Sequence, residues 1–318
     1  MFFFFDQNTL SQKMYMKILN QRRIPIFSHV LFGVGLSGSI ICGAFFLRHQ
    51  SIWSDYKQKE QRQPKSLIDL FSGQFKYPST RSNQILSQQE GSFLENFTEI
   101  VTRNLETASK SQKILWALIA TNSIVFAAWR IPRLSRFMTR NFVHLPIANR
   151  PWTLLTCVFS HQSLVHFTFN MMALNSFYLS FERSGYLSSE QTLACYLTAG
   201  IFSSLGSHLL SNFIPGRLLM GGLGASGAIF ALLGGVAIQN PHSKVGLIFL
   251  PGINFEMQDL LPCIVLFDVV GLVLKWKVLD HAAHLVGLGY GIFWMEIGRH
   301  QWSYWQKVAF EYRKNRER

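Results

Sequence analysis

Two residues combine a reactive side chain with surroundings that could put it to use. Ser226 lies in GGLGASGAIFALLGG (221–235), between Ala225 and Gly227, with Gly224 two residues before. His284 lies in DHAAHLVGLGYG (280–291), followed by Gly287 and Gly291. A hydroxyl bonded to an imidazole is a nucleophile with its base, provided the two come within about 2.6–3.2 Å. Glycines four apart form a ridge along one helix face, and such ridges let helices approach closely. Each segment alone has a plainer reading. A serine in an apolar helix usually bonds its own backbone, and glycine-rich faces are usually packing. A lone histidine in a bundle is more often an interhelical donor than a base. Two such residues on matching ridges favour the pair.

A third group lies in SHQSLVHFTFN (160–170). His166 and Asn170 are four apart and share a helix face, with His161 just before the helix starts. Ionisable residues within apolar spans mark functional sites by default. Asp268, in LFDVVG, is another. It could orient His284 as the third member of a triad. The reading preferred from sequence is a structural bond across helices, to His281, Trp276 or a backbone group. Asp280 is placed at the membrane interface, and His208, Glu182 and Arg183 at span ends. Glu296 reads as snorkelling or pairing with Arg299.

The elements that must position these groups are seven uncharged or nearly uncharged apolar segments: 30–47, 114–129, 164–181, 193–213, 221–238, 260–274 and 282–297. About 20 apolar residues cross a bilayer, and lipid tolerates no unsatisfied irregular backbone. The expected fold is therefore all-α: a polytopic membrane bundle of one helix plus six. Composition agrees, since 15% of the 318 residues are charged against about 25% in soluble domains. The expected organisation is a basic leader at 1–29, an extra N-terminal transmembrane helix at 30–47, a polar connector at 48–112 with an amphipathic helix at 93–105, a core at 113–298 and a basic amphipathic tail at 299–318. The leader sets Lys13, Lys17, Arg22 and Arg23 against the single acid Asp6, as an organelle presequence would.

Residues 130–151 hold five arginines and no acid, and Pro132, Pro146 and Pro151 discourage a continuous helix there. By span count this loop shares a side with the N-terminal flank, the side that positive segments prefer, and the tail lies opposite. The net charge of +13 comes with no Cys/His zinc spacing and no RNA-binding aromatic motif, so nucleic acid is the weakest partner reading. Cys42, Cys157, Cys195 and Cys263 lie far apart without a CxxC and read as packing residues.

GASG (224–227) with AHLVGLGYG (283–291) resembles the GxSG and AHxxGxxxG signatures of rhomboid proteases, and HQSLVHFTFN (161–170) is similar to that family's HxxxxHxxxN motif. The three motifs occur in the family's order, within residues 114–297. The resemblance implies a Ser226–His284 dyad without a carboxylate. It implies oxyanion donors from His166, Asn170 and the Ser226 backbone N–H, and a structural role for His161. Gly224, Gly227, Gly287, Gly291 and Asp268 would support the site. Bacterial rhomboids carry a Trp-Arg pair in the first loop, whereas Trp152 here is followed by Thr153. The added first span, DHAAHL (280–285) and Asp268 resemble the mitochondrial presenilin-associated rhomboid-like branch. That branch implies a multi-pass protein of the mitochondrial inner membrane. It would cut single-span membrane proteins near helix-weakening residues, with no metal or organic cofactor. Two rivals remain: an inactive rhomboid-like binder, which would lack the serine or histidine, and a proton-coupled transporter, which would show paired halves.

Overall fold

The computed structural model describes residues 26–62, 102–183, 187–214, 217–246, 252–276 and 279–318. The leader up to residue 25, the connector from 63 to 101 with most of its expected amphipathic helix, and the turn at 215–216 lie outside the described residues.

The chain forms an all-α membrane bundle. Helix α1 (Ile26–Arg62) is followed by α2 (Lys110–Ala128), a 3-10 turn at Pro132–Leu134, α3 (Ser135–Phe142) and the short α4 (Thr153–Thr156). Then come α5 (Leu164–Arg183), α6 (Ser189–Ser211) and α7 (Ser226–Gln239). A hairpin of β1 (Lys244–Gly246) and β2 (Asn254–Glu256), paired Lys244 to Glu256, leads into α8 (Met257–Val273). Helix α9 (His281–Phe293) runs through a π turn at Trp294–Gly298 into α10 (Arg299–Arg316).

Each of the seven apolar segments falls on a helix, although their lengths differ from a uniform set of spans. By length and composition α1 and α6 can cross a membrane, and α2 with residues 132–142 makes a third if that pair, bent by 97°, counts as one. The bend follows from Pro132, which cannot continue the helix. At its other end α2 is held by a capping box between Ser109 and Gln112. Helices α7, α8 and α9 have 14, 17 and 13 residues, and they carry Ser226, Asp268 and His284. Helix α7 begins five residues later than the apolar pattern suggested, because Gly224 at φ +128° breaks the run before Ser226.

Helix α1 was expected to end near residue 47. It runs on to Arg62 because α10 packs along its second half. Trp53 meets Phe310 edge-on at 5.7 Å, and the Arg313 guanidinium lies 4.4 Å from the Trp53 ring. Gln306 donates to the Phe45 carbonyl at 2.9 Å, and Lys57 pairs with Glu317 at 3.2 Å. At the other end of α1, Ser28 donates to Asn149 of the arginine-rich loop at 3.0 Å. Residues 28 and 57 are about 43 Å apart along a helix. The arginine-rich loop and the tail therefore sit at opposite ends of the molecule.

At the centre, α7 is wrapped by α5, α6 and α9. Leu232 on it, and Leu174, Tyr178, Phe181 and Tyr196 around it, are fully buried. Trp53 is 6% exposed, so Trp53→Ala should remove about 3 kcal/mol of stability. Thermal unfolding of the purified protein measures this, and the loss should be shared by a chain lacking residues 299–318.

Candidate active site

The serine is presented by a short, heavily anchored segment. Backbone bonds between His144 and Gly222, at 2.9 and 2.8 Å, hold the chain before it. Gly224 donates to the Cys157 carbonyl at 2.9 Å, and the Ala225 N–H donates to His161 Nε2 at 3.3 Å. A side chain at Gly224 would also strike the His166 ring, 2.7 Å from its Cε1. Ser226 then opens α7. The first N–H groups of a helix have no intrahelical acceptor and carry its positive end, so the serine sits beside donors suited to an anion.

The histidine arrives on α9, whose start is fixed by Asp280. That carboxylate accepts from the Ala283 N–H at 3.2 Å and from Ser207 at 2.6 Å, and it pairs with the buried Arg217 at 2.8 Å. Asp280 is thus the N-cap of α9 and is held in an ion pair. The glycine ridges interlock. A Cβ on Gly287 would lie 2.0 Å from the Gly227 carbonyl oxygen, and one on Gly291 would lie 1.9 Å from that of Ala231. Only bare backbone allows this approach.

The approach sets His284 Nε2 3.0 Å from Ser226 Oγ. On the far side of the ring, His284 Nδ1 is 3.1 Å from Asp268 Oδ1, and the same oxygen is 2.6 Å from His281 Nδ1. Asp268 therefore does both things weighed from sequence. It bonds His281, the structural partner, and it also reaches His284 in the position of a triad acid. Trp276, the other partner considered, instead lies edge-on to His281 with ring centroids 6.0 Å apart. Asp268, His281 and His284 are 1%, 1% and 5% exposed. Their donor atoms lie close enough to hold a cation, but both Nδ1 atoms already meet the carboxylate.

Phe230 was missed from sequence. It lies one turn after Ser226 and stacks on the His284 ring, centroids 4.0 Å apart and planes at 14°. Its i+4 spacing from the serine was the available signal.

His166 and Asn170 lie on α5. The His166 ring stands against Gly224, and its buried Nδ1 has no hydrogen-bond partner among the described residues. The Asn170 amide donates back to the His166 carbonyl at 2.8 Å. His161 packs against His166, centroids 5.0 Å apart. In the first loop, Trp152 donates to Asn141 at 3.3 Å.

Two cavities flank the pair. An apolar one of about 1040 Å³ between α5, α7 and α8, lined by Phe169, Met172, Phe230 and Ile264, reaches His284 and Asp268. A small polar one of about 40 Å³, lined by Ser203, Ser207, Arg217 and Asp280, reaches Ser226.

A profile of the rhomboid domain matches residues 148–301. Over 281 residues the chain is 32% identical to presenilin-associated rhomboid-like protein A, mitochondrial, of Danio rerio, covering 87% of this chain and 72% of that relative. The chain belongs to the rhomboid family. This rhomboid is also 36% identical to the presenilin-associated rhomboid-like protein, mitochondrial, of Rattus norvegicus, over 68% of its own length and 55% of the relative's. It is 28% identical to rhomboid protein 1, mitochondrial, of Saccharomyces cerevisiae, over 58% and 52%. It thus spans about half the length of these last two relatives.

Two neighbouring glycines test the helix approach. Gly287→Ala should force α7 and α9 apart and lower the thermal midpoint sharply. Gly289→Ala, where a Cβ meets nothing within 4 Å, should leave the stability within about 0.5 kcal/mol of the parent.

Proposed function

We infer that this rhomboid is an intramembrane serine protease, with Ser226 as nucleophile, His284 as general base and Asp268 as the residue that positions the base. One observation carries the reading: an unbroken line of hydrogen bonds runs from Ser226 Oγ through both nitrogens of His284 to Asp268. A carboxylate only accepts, so His284 Nδ1–H donates to Asp268 and Nε2 keeps its lone pair for the serine proton. The stacked Phe230 ring holds the imidazole plane.

In the reaction Ser226 Oγ attacks the scissile carbonyl as His284 Nε2 takes its proton. The oxyanion meets the N–H groups at the start of α7. His166 and Asn170 add side-chain donors once the Asn170 amide turns away from its own helix. His284 then protonates the leaving amine, and water hydrolyses the acyl-enzyme. The small polar cavity is roomy enough for water, which needs roughly 10–15 Å³, and it lies against the serine. The larger apolar cavity suits an apolar substrate segment approaching between α5 and α8. A helical substrate must first expose its carbonyl, so single-span membrane proteins with Gly, Pro or polar residues near the cut are the expected substrates. The relatives' mitochondrial names and the basic N-terminal flank support a multi-pass protein of the mitochondrial inner membrane.

Cleavage of a reporter single-span helix in a reconstituted bilayer tests the reading. Ser226→Ala should abolish it. Asn170→Ala should lower kcat by about 10²–10³, the cost of one oxyanion donor in a serine protease. Asp268→Asn should lower kcat by up to about 10⁴, with KM little changed, since it disturbs the tautomer of the base. Cleavage that survives Ser226→Ala would overturn Ser226 as the nucleophile, whereas a wild type that cleaves no reporter helix would favour a membrane-protein binder or transporter.

A further inference from the structure

A second cluster of imidazoles lies apart from the serine and has no part in the chemistry above. His29 comes from α1, His144 from the loop after α3 and His208 from the last turn of α6. They are 0%, 4% and 0% exposed. Their rings crowd together, with centroids 4.5 Å apart for His29 and His208, 5.4 Å for His29 and His144, and 5.2 Å for His144 and His208. One nitrogen from each lies within 4.8 Å of the other two.

The hydrogen bonds fix how His144 presents itself. Thr153 Oγ1 gives its only proton to the Arg150 carbonyl, at 2.6 Å. It can therefore only accept from His144 Nδ1–H, at 2.9 Å. The Nε2 lone pair of His144 is thus directed into the cluster, 3.0 Å from His208 Nδ1. His208 Nδ1–H therefore donates to His144 Nε2, and His208 Nε2 is buried with no hydrogen-bond partner among the described residues. Holding one ring nitrogen with an outer partner so that the other faces inward is how proteins orient metal-binding histidines.

We propose that His29, His144 and His208 bind a zinc-class divalent cation, which fastens the added N-terminal helix to the core. Three imidazoles suit zinc, with bonds of 2.0–2.1 Å and donor atoms about 3.3 Å apart in a tetrahedral site. The His144–His208 pair already stands near that separation, and His29 closes the set from α1. His208 moves its proton from Nδ1 to Nε2 on binding, so no net proton is released. His144 and His208 also line the small polar cavity shared with Asp280. That cavity can supply a water as fourth ligand. The cation's role is structural. At the same end of α1, Ser28 donates to Asn149 of the loop.

The test uses the full-length protein in detergent, stripped with a chelator and titrated with Zn²⁺ by calorimetry, with metal content counted by mass spectrometry. Wild type should bind about one Zn²⁺ per chain, with a higher unfolding temperature when loaded. His29→Gln, His144→Gln and His208→Gln should each weaken binding by more than Thr153→Val, which removes only an outer partner and should cost roughly 10–100-fold. Circular dichroism and size-exclusion elution establish that each variant is folded. If a variant does not fold, Co²⁺ bound to wild type decides: visible absorption bands of a tetrahedral nitrogen-rich site support the assignment, and their absence overturns it. Wild type that retains no Zn²⁺, or variants that bind it as tightly as wild type, also overturns it.

Discussion

Two helices lie so close that carbonyl oxygens of one fill the space where side chains of the other would begin. Gly287 and Gly291 of α9 face the carbonyls of Gly227 and Ala231 on α7 at distances no Cβ could occupy. This contact brings Ser226 and His284 together from positions 58 residues apart. The other features of the site refine it. Gly224 lets the chain turn so that α7 starts at the serine, Asp280 caps α9 just before the base, and Phe230 and Asp268 hold the imidazole from its face and its far edge. The energetic logic is that of helix association in lipid, where close van der Waals contact and interhelical hydrogen bonds replace the hydrophobic effect.

The parts of this arrangement carried by local spacing were legible in the sequence. The two ridges flank the reactive residues at helical intervals, so the Ser226–His284 pairing followed from GASG and AHLVGLGYG without coordinates. The helical segments were visible for the same reason, as uninterrupted apolar runs. Features depending on a distant partner were not. The polar stretch from 48 to 62 looks like a connector until α10, some 250 residues later, covers Trp53, its Arg313 donates to Gln50, and Glu317 just beyond it pairs with Lys57. Asp268 offered two partners, and only the fold shows one carboxylate oxygen meeting both His281 and His284. The start of α7 was misplaced because a glycine inside an apolar run reads as packing, whereas Gly224 at positive φ is a break.

The three-histidine cluster was hidden in the same way. Its members are 64 to 179 residues apart in the chain and share no motif spacing, and His208 alone looked like the polar end of a span. It falls where α1, the element added to the six-helix core, meets that core near the arginine-rich loop. The added helix is thus tied at both ends: by polar groups at the loop end, and by aromatic and cationic contacts with α10 at the other.

The account rests on an activated serine at position 226, and covalent trapping addresses that directly. The protein, reconstituted in lipid, is treated with a fluorophosphonate and digested, and the modified residue is identified by mass spectrometry. The structure requires one adduct per chain, on Ser226, with its formation lost in His284→Ala and slowed in Asp268→Asn. An unmodified Ser226, or an adduct that forms equally fast without His284, would contradict it.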